Sequence, residues 1–362
     1  MKILGIETSC DDTCVSIIKD LDILANIVSS QTKVHQKWGG VYPTMARREH
    51  QKNLPIVFKK ALDKANLLVK KKSLVKEDKI KEILSKEDVL LKKTLNILGD
   101  YQKPDIDFIA VTYGPGLDPS LWSGINFAKA ISAEWNIPII PVNHIEAHLL
   151  ISLFEIKNNR LKQKDVQFPA IGLIASGGHT QLVLIKDIGK YKTIGETRDD
   201  AAGECLDKIA RILNIGYPGG PAIAKRAKLC KKNTITLPRP MINHKNYDFS
   251  FSGLKTAVLY SKEKENINCM AKETEQAVID VLLKKTVLAS KEYKAKNIIL
   301  GGGVTANKEL RRQFSKEFNN LLLPPKGAQT DNALMIAVAG LMSPKTKNYA
   351  NIKSNPNLRI WK

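Results

Sequence analysis

The chain has 362 residues, with 57 lysines and arginines against 36 aspartates and glutamates, which gives a net charge of +21. A hydrophobic fraction of 43%, with 22 glycines and 16 prolines, lies in the globular range and excludes a disordered tail, a collagen-like rod and a disulfide miniprotein. Because the length exceeds what one hydrophobic core usually serves, we expect two domains or a duplicated architecture.

The first elements of the chain predict a β-hairpin. Residues 3–6 form a short apolar strand, which a polar turn connects to a second strand at residues 14–18. Residues 170–175 and 181–185 repeat this pattern around another polar turn. The repeat indicates that the chain contains two related halves.

Each predicted hairpin is followed by an amphipathic helix and by further strands. Apolar residues keep helical spacing through residues 54–65 and again through residues 206–213. Later strands at residues 106–112, 137–142 and 298–300 are apolar nearly throughout, so we expect both of their faces to be buried. This alternation predicts an α/β fold, with functional residues where the strands end.

One segment departs from this pattern, because residues 70–103 hold 10 lysines against six acidic residues. Its composition predicts an inserted, partly helical surface excursion. The favoured interpretation is a solvated helix pair that reflects a lineage-specific lysine bias, and the alternative is an extra phosphate-binding surface.

No apolar run approaches the roughly 18 residues of a membrane span, and Glu7 interrupts the first ten residues before a signal-peptide core could form. We therefore expect a cytoplasmic protein that does not enter the membrane. The cysteines form no CxxC pair and no disulfide-rich spacing, which indicates ordinary thiols in a reducing compartment. They are Cys10, Cys14, Cys205, Cys230 and Cys269.

Three turns are rich in glycine and hydroxyl groups, at residues 8–13, 175–180 and 301–307. A glycine-rich turn after a buried strand lets the backbone approach a ligand and point N–H groups at a phosphate. None of the three matches the Walker A or GxGxxG pattern. Together they predict a nucleotide site between two lobes.

Two histidines four residues apart, His144 and His148, follow the strand that ends near residue 142. On a helix they would share one face and could bind one metal ion. The HExxH protease pattern is not met, because Glu146 would lie about 200° round the helix from His144. Asp331 is a candidate third ligand, and the alternative is that Thr330 or Asp331 caps the start of a helix.

Eight stretches occur in order through nearly the whole chain apart from the lysine-rich insert. They are GIETSCDDT (5–13), HIEAH (144–148), SGGHTQL (176–182), DDAAGE (199–204), YPGGP (217–221), FSFSGLKT (249–256), GGGVTAN (301–307) and TDNA (330–333). This combination resembles TsaD, the family of tRNA N6-adenosine threonylcarbamoyltransferases.

The resemblance implies a duplicated α/β fold of the actin, Hsp70 and sugar-kinase kind, with two lobes around a nucleotide cleft. We accordingly expect an N-terminal lobe over residues 1–165, with the insert at about 70–103, and a C-terminal lobe over residues 166–332. Residues 333–362 are expected to form a C-terminal helix and tail that return to the first lobe.

The resemblance also implies a reaction, in which threonylcarbamoyl-AMP gives its threonylcarbamoyl group to N6 of the adenosine 3′ of the anticodon. The substrates would be tRNAs that read codons beginning with A, and AMP would be released. By matching position, His144, His148 and Asp331 would bind one metal ion, which the family suggests is iron (Fe2+), with zinc as the alternative. The matching adenylate contacts are Ile174, Ala175, Ser176, Gly177, Gly178, Asp207, Gly220 and Asn307.

The exocyclic amine of adenine is a poor nucleophile, so a base or careful positioning should assist it. Asp11 and Asp12 are the nearest candidates in the sequence. The chain has Asp12 where the family commonly has glutamate, which shifts that carboxylate by one methylene. The predicted catalytic residue is therefore Asp11.

Partners follow from the same resemblance, which implies dependence on TsaB-like and TsaE-like proteins, while tRNA is a natural target for the basic excess. The alternatives are a small-molecule kinase or ATPase of the same fold, or a metalloprotease. A His-His-Asp set is the wrong ligand set for the Mg2+ of a kinase, and the displaced Glu146 counts against a protease.

Overall fold

The structure is a computed structural model that describes residues 1–263, 265–343 and 345–360. Its strands are β1 (Lys2–Glu7), β2 (Asp12–Lys19), β3 (Asp22–Ser30), β4 (Phe108–Gly114), β5 (Ile139–Asn143), β6 (Phe154–Lys157), β7 (Arg160–Gln163), β8 (Ala170–Ala175), β9 (Thr180–Asp187), β10 (Lys190–Glu196), β11 (Asn297–Gly301) and β12 (Leu321–Leu322). Its α-helices are α1 (Thr32–Gln36), α2 (Pro43–Lys64), α3 (Glu77–Ile83), α4 (Asp88–Asp100), α5 (Asp118–Trp135), α6 (His144–Ile151), α7 (Ala202–Ile212), α8 (Gly219–Ala227), α9 (Ser252–Ser261), α10 (Ile267–Glu292), α11 (Lys308–Glu317) and α12 (Ala333–Met342). Short 3-10 turns cover Gly303–Ala306 and Tyr349–Asn351.

The described residues pack into two compact units. The first comprises Met1–Lys33, Val41–Gln163 and Asp331–Arg359, and the second comprises Val34–Gly40, Lys164–Thr330 and, of the last residues, Ile360. Of the predicted C-terminal segment 333–362, Pro344, Trp361 and Lys362 lie outside the described residues.

The first unit is built on a mixed sheet with the strand order β5-β4-β1-β2-β3-β7-β6. The predicted first hairpin is confirmed, because β1 pairs antiparallel with β2. On the other side of β1, β4 and β5 add in parallel. Ile3, Leu4 and Ile6 of β1 are completely buried, as their apolar run predicts for a strand covered on both faces.

The second unit repeats the central part of this arrangement, with the strand order β10-β9-β8-β11-β12. Here β8 pairs antiparallel with β9, and β11 and β12 add in parallel on the other side. The order β3-β2-β1-β4-β5 of the first unit has the same directions. The two predicted hairpins are thus the equivalent cores of a duplicated α/β architecture.

Helices cover these sheets with the faces that the sequence predicts. In α2, Leu54, Val57, Phe58 and Ala61 are buried in the core of the first unit. Their spacing of three and four residues places them on one stripe of the helix. In α7, Leu206, Ile209 and Ala210 supply the corresponding stripe to the core of the second unit, and Leu213 extends it just after the helix.

The lysine-rich insert is more tightly packed than a surface excursion. It forms α3 and α4, which contact α5 and α2. Ile80, Leu84, Leu90 and Leu98 are buried in the core of the first unit, while the lysines lie on the outer faces. The predicted helix pair is therefore present, and its apolar residues anchor it.

The expectation of five ordinary thiols is wrong for two cysteines. Cys230, directly after α8, forms a disulfide with Cys269 in the first turn of α10, across 39 residues of sequence. Since α8 and α10 pack against each other in the second unit, the two cysteines meet without any spacing motif. Cys10, Cys14 and Cys205 are free thiols.

Across the described residues, no helix combines the length and the apolar character that crossing a membrane requires.

Candidate metal centre and substrate pocket

The two predicted histidine ligands lie on α6, which begins directly after β5. Asn143 starts this helix, because its side-chain oxygen accepts hydrogen bonds from the backbone N–H groups of Ile145 and Glu146 at 2.9 and 3.2 Å. The helix places His144 and His148 on one face, and both are almost completely buried. The predicted helical spacing of the pair is therefore present.

The predicted third ligand, Asp331, lies directly before α12. The cap of α12 is neither Thr330 nor Asp331, because the side chain of Asn332 accepts the hydrogen bond from Met335 N at 3.0 Å. The alternative interpretation of Asp331 as a helix cap is thus wrong. Apart from its last two residues, α12 is buried on all sides and packs against β1 and α6, which brings Asp331 beside the histidines.

The three side chains converge on one point within the first unit. Asp331 Oδ1 lies 3.1 Å from His148 Nε2 and 3.6 Å from His144 Nε2. One potential ligand atom from each residue lies within 4.8 Å of the other two. The imidazole rings stand nearly perpendicular, at 85°, with their centroids 4.6 Å apart.

A second layer of polar groups surrounds His144, and sequence reasoning missed it. Glu7, at the end of β1, is completely buried, and its Oε2 lies 3.0 Å from His144 Nδ1. Ser9 Oγ lies 3.2 Å from the same nitrogen. The signal available in the sequence was a carboxylate at the end of an otherwise apolar strand, because a buried charge requires a partner.

The electrostatics of this cluster follow from its burial and its opposite charges. Although burial opposes a charge on Glu7, the adjacent His144 lowers the pKa of the Glu7 carboxyl. Although burial opposes its protonation, Glu7 and Asp331 raise the pKa of His144 to about 9. Burial lowers the pKa of His148. The pKa values of the two histidines shift in opposite directions, because Glu7 hydrogen-bonds to His144, while the charge of His144 opposes protonation of His148.

The predicted catalytic Asp11 lies in the turn between β1 and β2, and its neighbour Asp12 is the first residue of β2. Burial, together with the nearby charges of Asp11 and Asp331, raises the pKa of Asp12 to about 7. Among the described residues, the buried Oδ1 atom of Asp12 has no hydrogen-bond partner. Burial and Asp11 raise the pKa of the Cys10 thiol well above its usual range, which excludes it as a ready nucleophile. These features make Asp12 a stronger candidate for an acid–base role than Asp11.

The second unit holds the predicted adenylate residues. Ile174 and Ala175 end β8, and Ser176 turns the chain by donating its N–H to His179 O at 2.8 Å. Gly177 and Gly178 are exposed, and a Cβ at either position would meet no atom within 4 Å. Packing therefore does not require these two glycines, whereas close approach of a ligand would.

Asp207 lies in α7, and its Oδ1 accepts a hydrogen bond from Gly219 N at 2.6 Å. It therefore fixes the start of α8. Gly219 must lack a side chain, because a Cβ there would lie 2.4 Å from Asp207 Cα. The pair explains how the glycines of the YPGGP stretch come to lie beside α7.

Two of the predicted residues, Gly220 and Asn307, line one apolar pocket of the second unit. Asn307 is held on both sides, since its Oδ1 accepts from Leu310 N at 2.9 Å and its Nδ2 donates to Glu275 Oε1 at 2.6 Å. Burial raises the pKa of Glu275, a lining residue that sequence reasoning missed. The other lining residues are Leu206, Ile223, Val278, Ile279, Val304 and Leu310.

Comparison with known families gives a match over most of the chain. The family model of TsaD, tRNA N6-adenosine threonylcarbamoyltransferase, matches residues 22–75 and 87–338. Residues 1–21, 76–86 and 339–362 lie outside this match, and residues 76–86 include α3 of the lysine-rich insert.

Curated relatives that carry this same enzyme name match nearly the full length. One from Thermosipho africanus is 43% identical, over 99% of this chain and all of its own. One from Persephonella marina is 43% identical, over 94% of this chain and 89% of its own. One from Bacillus cereus is 40% identical, over 98% and 95% of the two chains.

Solved structures with the same fold are much more distant in sequence. HypF of T. kodakarensis has a TM-score of 0.55 at 14% identity, covering 94% of this chain and 47% of its own. Component A of the (R)-2-hydroxyglutaryl-CoA dehydratase of Acidaminococcus fermentans has a TM-score of 0.50 at 13% identity, covering 94% and 96%. These likenesses concern the fold alone, and they confirm the α/β class of actin, Hsp70 and the sugar kinases.

Proposed function

The chain belongs to the tRNA N6-adenosine threonylcarbamoyltransferase family, and from this premise we propose that threonylcarbamoyl-AMP is its donor substrate. The acceptor is N6 of the adenosine 3′ of the anticodon in tRNAs that read codons beginning with A. The family is one of transferases that modify tRNA, which displaces the kinase and metalloprotease alternatives. The main support from the structure is that His144, His148 and Asp331, from separate motifs, converge on one point.

The donor set suits a divalent transition metal. Nitrogen and carboxylate ligands around one such ion lie about 3–3.5 Å apart when each bond is about 2.0–2.2 Å. The separation of 3.1 Å from Asp331 Oδ1 to His148 Nε2 lies in this range, and the separation of 3.6 Å to His144 Nε2 lies just above it. Two histidines and one carboxylate are the ligands of many non-haem Fe(II) sites and also suit zinc. We therefore propose Fe2+, with zinc as the alternative, held by His144, His148 and Asp331.

When bound, such an ion supplies a Lewis acid that can polarise a carbonyl or stabilise charge on a phosphate oxygen. In the proposed transfer, the N6 nitrogen of adenosine forms a bond to the carbamoyl carbon, the bond from that carbon to the phosphate oxygen breaks, and AMP leaves. The proton of N6 passes to a base. The predicted base is Asp11, and the buried Oδ1 of Asp12, which has no hydrogen-bond partner in the described part of the chain, makes this neighbour the stronger candidate.

The adenylate is proposed to bind to the second unit. The exposed turn formed by Ile174, Ala175, Ser176, Gly177 and Gly178 is suited to phosphate, because glycines let backbone N–H groups approach it closely. The apolar pocket with Gly220 and Asn307 is suited to the flat face of a base. Asp207 is proposed to contact the ribose as well as holding α8 in place.

tRNA is the substrate that the enzyme name of the family implies, and the net charge of +21 suits a polyanion. We further propose that TsaB-like and TsaE-like proteins assist the reaction, and that it occurs in the cytoplasm, where tRNA is found.

The test is transfer of radiolabelled threonine from threonylcarbamoyl-AMP to unmodified tRNA in the presence of the partner proteins. Wild type is compared with His144→Ala, and the exposed His244→Ala serves as a matched histidine control. We expect label on tRNA with wild type and His244→Ala and none with His144→Ala. Absence of transfer by wild type, where a reference enzyme of the family works, would overturn the proposed reaction.

A further inference from the structure

We propose that Glu7 is a positioning residue that keeps the proton of His144 on Nδ1, so that Nε2 is presented to the metal. This inference rests on the metal centre of the proposed function and assigns a role to a side chain outside the three ligands. The two nitrogens of His144 face different partners. Nδ1 lies 3.0 Å from Glu7 Oε2, while Nε2 lies on the side of Asp331 Oδ1, at 3.6 Å.

The chemistry of the two rings follows from this arrangement. An ionised carboxylate can only accept hydrogen bonds, so the His144 nitrogen that faces Glu7 must carry the proton. A metal ion binds only a ring nitrogen without a proton, so with the proton on Nδ1 held towards Glu7, Nε2 is the nitrogen that can offer a lone pair where His148 and Asp331 converge. Metal-bound histidines commonly donate their second N–H to a carboxylate in this manner.

Glu7 is itself held in one orientation by hydrogen-bond donors. Thr112 Oγ1 donates to Glu7 Oε2 at 2.6 Å, and the backbone N–H of Ser9 donates to Oε1. Both carboxylate oxygens thus face donors, in a position that no solvent reaches. A glutamine at this position would set its NH2 group against either the Ser9 N–H or His144, because only one of its two terminal atoms is an acceptor.

The alternative is that Glu7 only stabilises the turn at Ser9. The two roles differ in what they predict for metal binding. A purely structural Glu7 would change the free energy of unfolding and leave the affinity and the spectrum of a bound metal unaltered. A positioning Glu7 would change both of the latter, even where the variant is fully folded.

The experiment uses the full chain, stripped of metal by a chelator and titrated with Co2+, whose visible absorption reports ligand geometry. The variants are Glu7→Gln and, as a matched control, Glu87→Gln, which alters another buried glutamate of the same unit. We expect Glu7→Gln to weaken Co2+ binding about 10- to 100-fold and to change the absorption spectrum. Glu87→Gln should bind Co2+ as wild type does.

A second variant covers the case in which Glu7→Gln does not fold. Thr112→Val removes the hydroxyl that orients Glu7 and leaves the carboxylate in place, so we expect a smaller loss of Co2+ affinity with a spectral change in the same direction. Wild-type affinity and spectrum in a folded Glu7→Gln, or in Thr112→Val if the former does not fold, would overturn the inference alone. Failure of wild type to bind Co2+ would instead overturn the metal centre, and the tRNA transfer assay tests the reaction separately.

Discussion

The Nε2 atom of His148 lies 3.1 Å from Oδ1 of Asp331, although 183 residues separate the two in sequence. They meet because α12 returns to the first sheet and packs against α6. Asp331 is therefore the proposed ligand whose removal should affect the centre with little effect on packing, since its side chain is partly exposed and does not cap α12.

We expect Asp331→Asn to reduce metal affinity and transfer activity by at least about 100-fold, because an amide is a poor substitute for an anionic ligand. The measurements are metal content after dialysis and label transferred to tRNA. Asp63→Asn is the matched control, because it makes the same substitution at an exposed aspartate of the same unit, on α2. Equal metal content in Asp331→Asn and wild type would contradict the proposed ligand set.

The exposed turn at Gly177 gives a prediction that separates binding from stability. Gly177→Ala adds a methyl group that meets no atom within 4 Å, so the free energy of unfolding should change by less than about 0.5 kcal/mol. If the backbone of this turn approaches phosphate, the same methyl group should weaken AMP binding about tenfold. Calorimetric titration with AMP and urea denaturation measure the two effects.

Gly302→Ala is the contrasting variant. Gly302 has a φ of 86°, and a Cβ there would lie 2.6 Å from the carbonyl oxygen of Ala175. We expect it to lower the free energy of unfolding by roughly 1–3 kcal/mol, because the strained backbone and the clash act together. For the first variant, Gly177→Ala, AMP binding as tight as that of wild type would contradict the proposed contact between this turn and phosphate.

The buried Glu87 predicts a particular dependence of stability on pH. Burial raises its pKa to about 7 from the ordinary value of 4.5, and Asn126 Nδ2 donates to its Oε1 at 3.1 Å. The folded state therefore holds this proton more tightly than the unfolded state. Its contribution to stability is full below pH 4.5, is lost as the pH rises to about 7, and then levels off.

A shift of this size corresponds to roughly 3 kcal/mol, at 1.36 kcal/mol per unit. Glutamine does not titrate, so the free energy of unfolding of Glu87→Gln should rise relative to that of wild type by about this amount between pH 5 and pH 8. Urea denaturation of both proteins across this range provides the measurement. Parallel stability curves for the two proteins would show that Glu87 does not titrate differently in the folded state.

Residues that act locally were predictable from the sequence alone, whereas distant residues brought together by the fold were predictable only where the family resemblance supplied them, as for Asp331. The hairpins, the apolar stripes of α2 and α7 and the i, i+4 spacing of His144 and His148 are short-range patterns, and each is present. Glu7 could not be paired with His144 in advance, because parallel pairing of β1, β4 and β5 is what places them side by side. For the same reason, the sequence did not indicate that Glu275 lies beside Asn307 in the pocket.

The disulfide was missed for the same reason, since no spacing motif joins Cys230 to Cys269. Closing a loop of 39 residues restricts the unfolded chain by roughly 4 kcal/mol in the chain-entropy model. We expect the double variant Cys230→Ala, Cys269→Ala to lose about 2–4 kcal/mol of unfolding free energy under oxidising conditions.

Reduced wild type is the control for this effect, because it keeps both side chains and lacks the covalent bond. We expect a phosphine reductant to shift the urea denaturation curve of wild type towards that of the double variant. The curve of the double variant should not change. A wild-type curve that does not respond to the reductant, with all five thiols open to alkylation after unfolding, would contradict the disulfide.

Asp11 and Asp12 can be separated by substitution. The pKa of Asp12 is raised to about 7, and its buried Oδ1 has no hydrogen-bond partner among the residues that the structure describes, although its carboxylate also hydrogen-bonds to Ser30. The side chain of Asp11 is hydrogen-bonded to the Cys10 thiol. If Asp12 accepts the N6 proton, Asp12→Asn should lower kcat for transfer by about 100-fold or more, the usual contribution of a general base. Asp11→Asn should lower it by less than about tenfold. Asp12→Glu, which keeps the carboxylate and lengthens its arm by one methylene, should retain most of the activity. A large loss with Asp11→Asn together with near-normal turnover by Asp12→Asn would return the role of base to Asp11, as the sequence predicts.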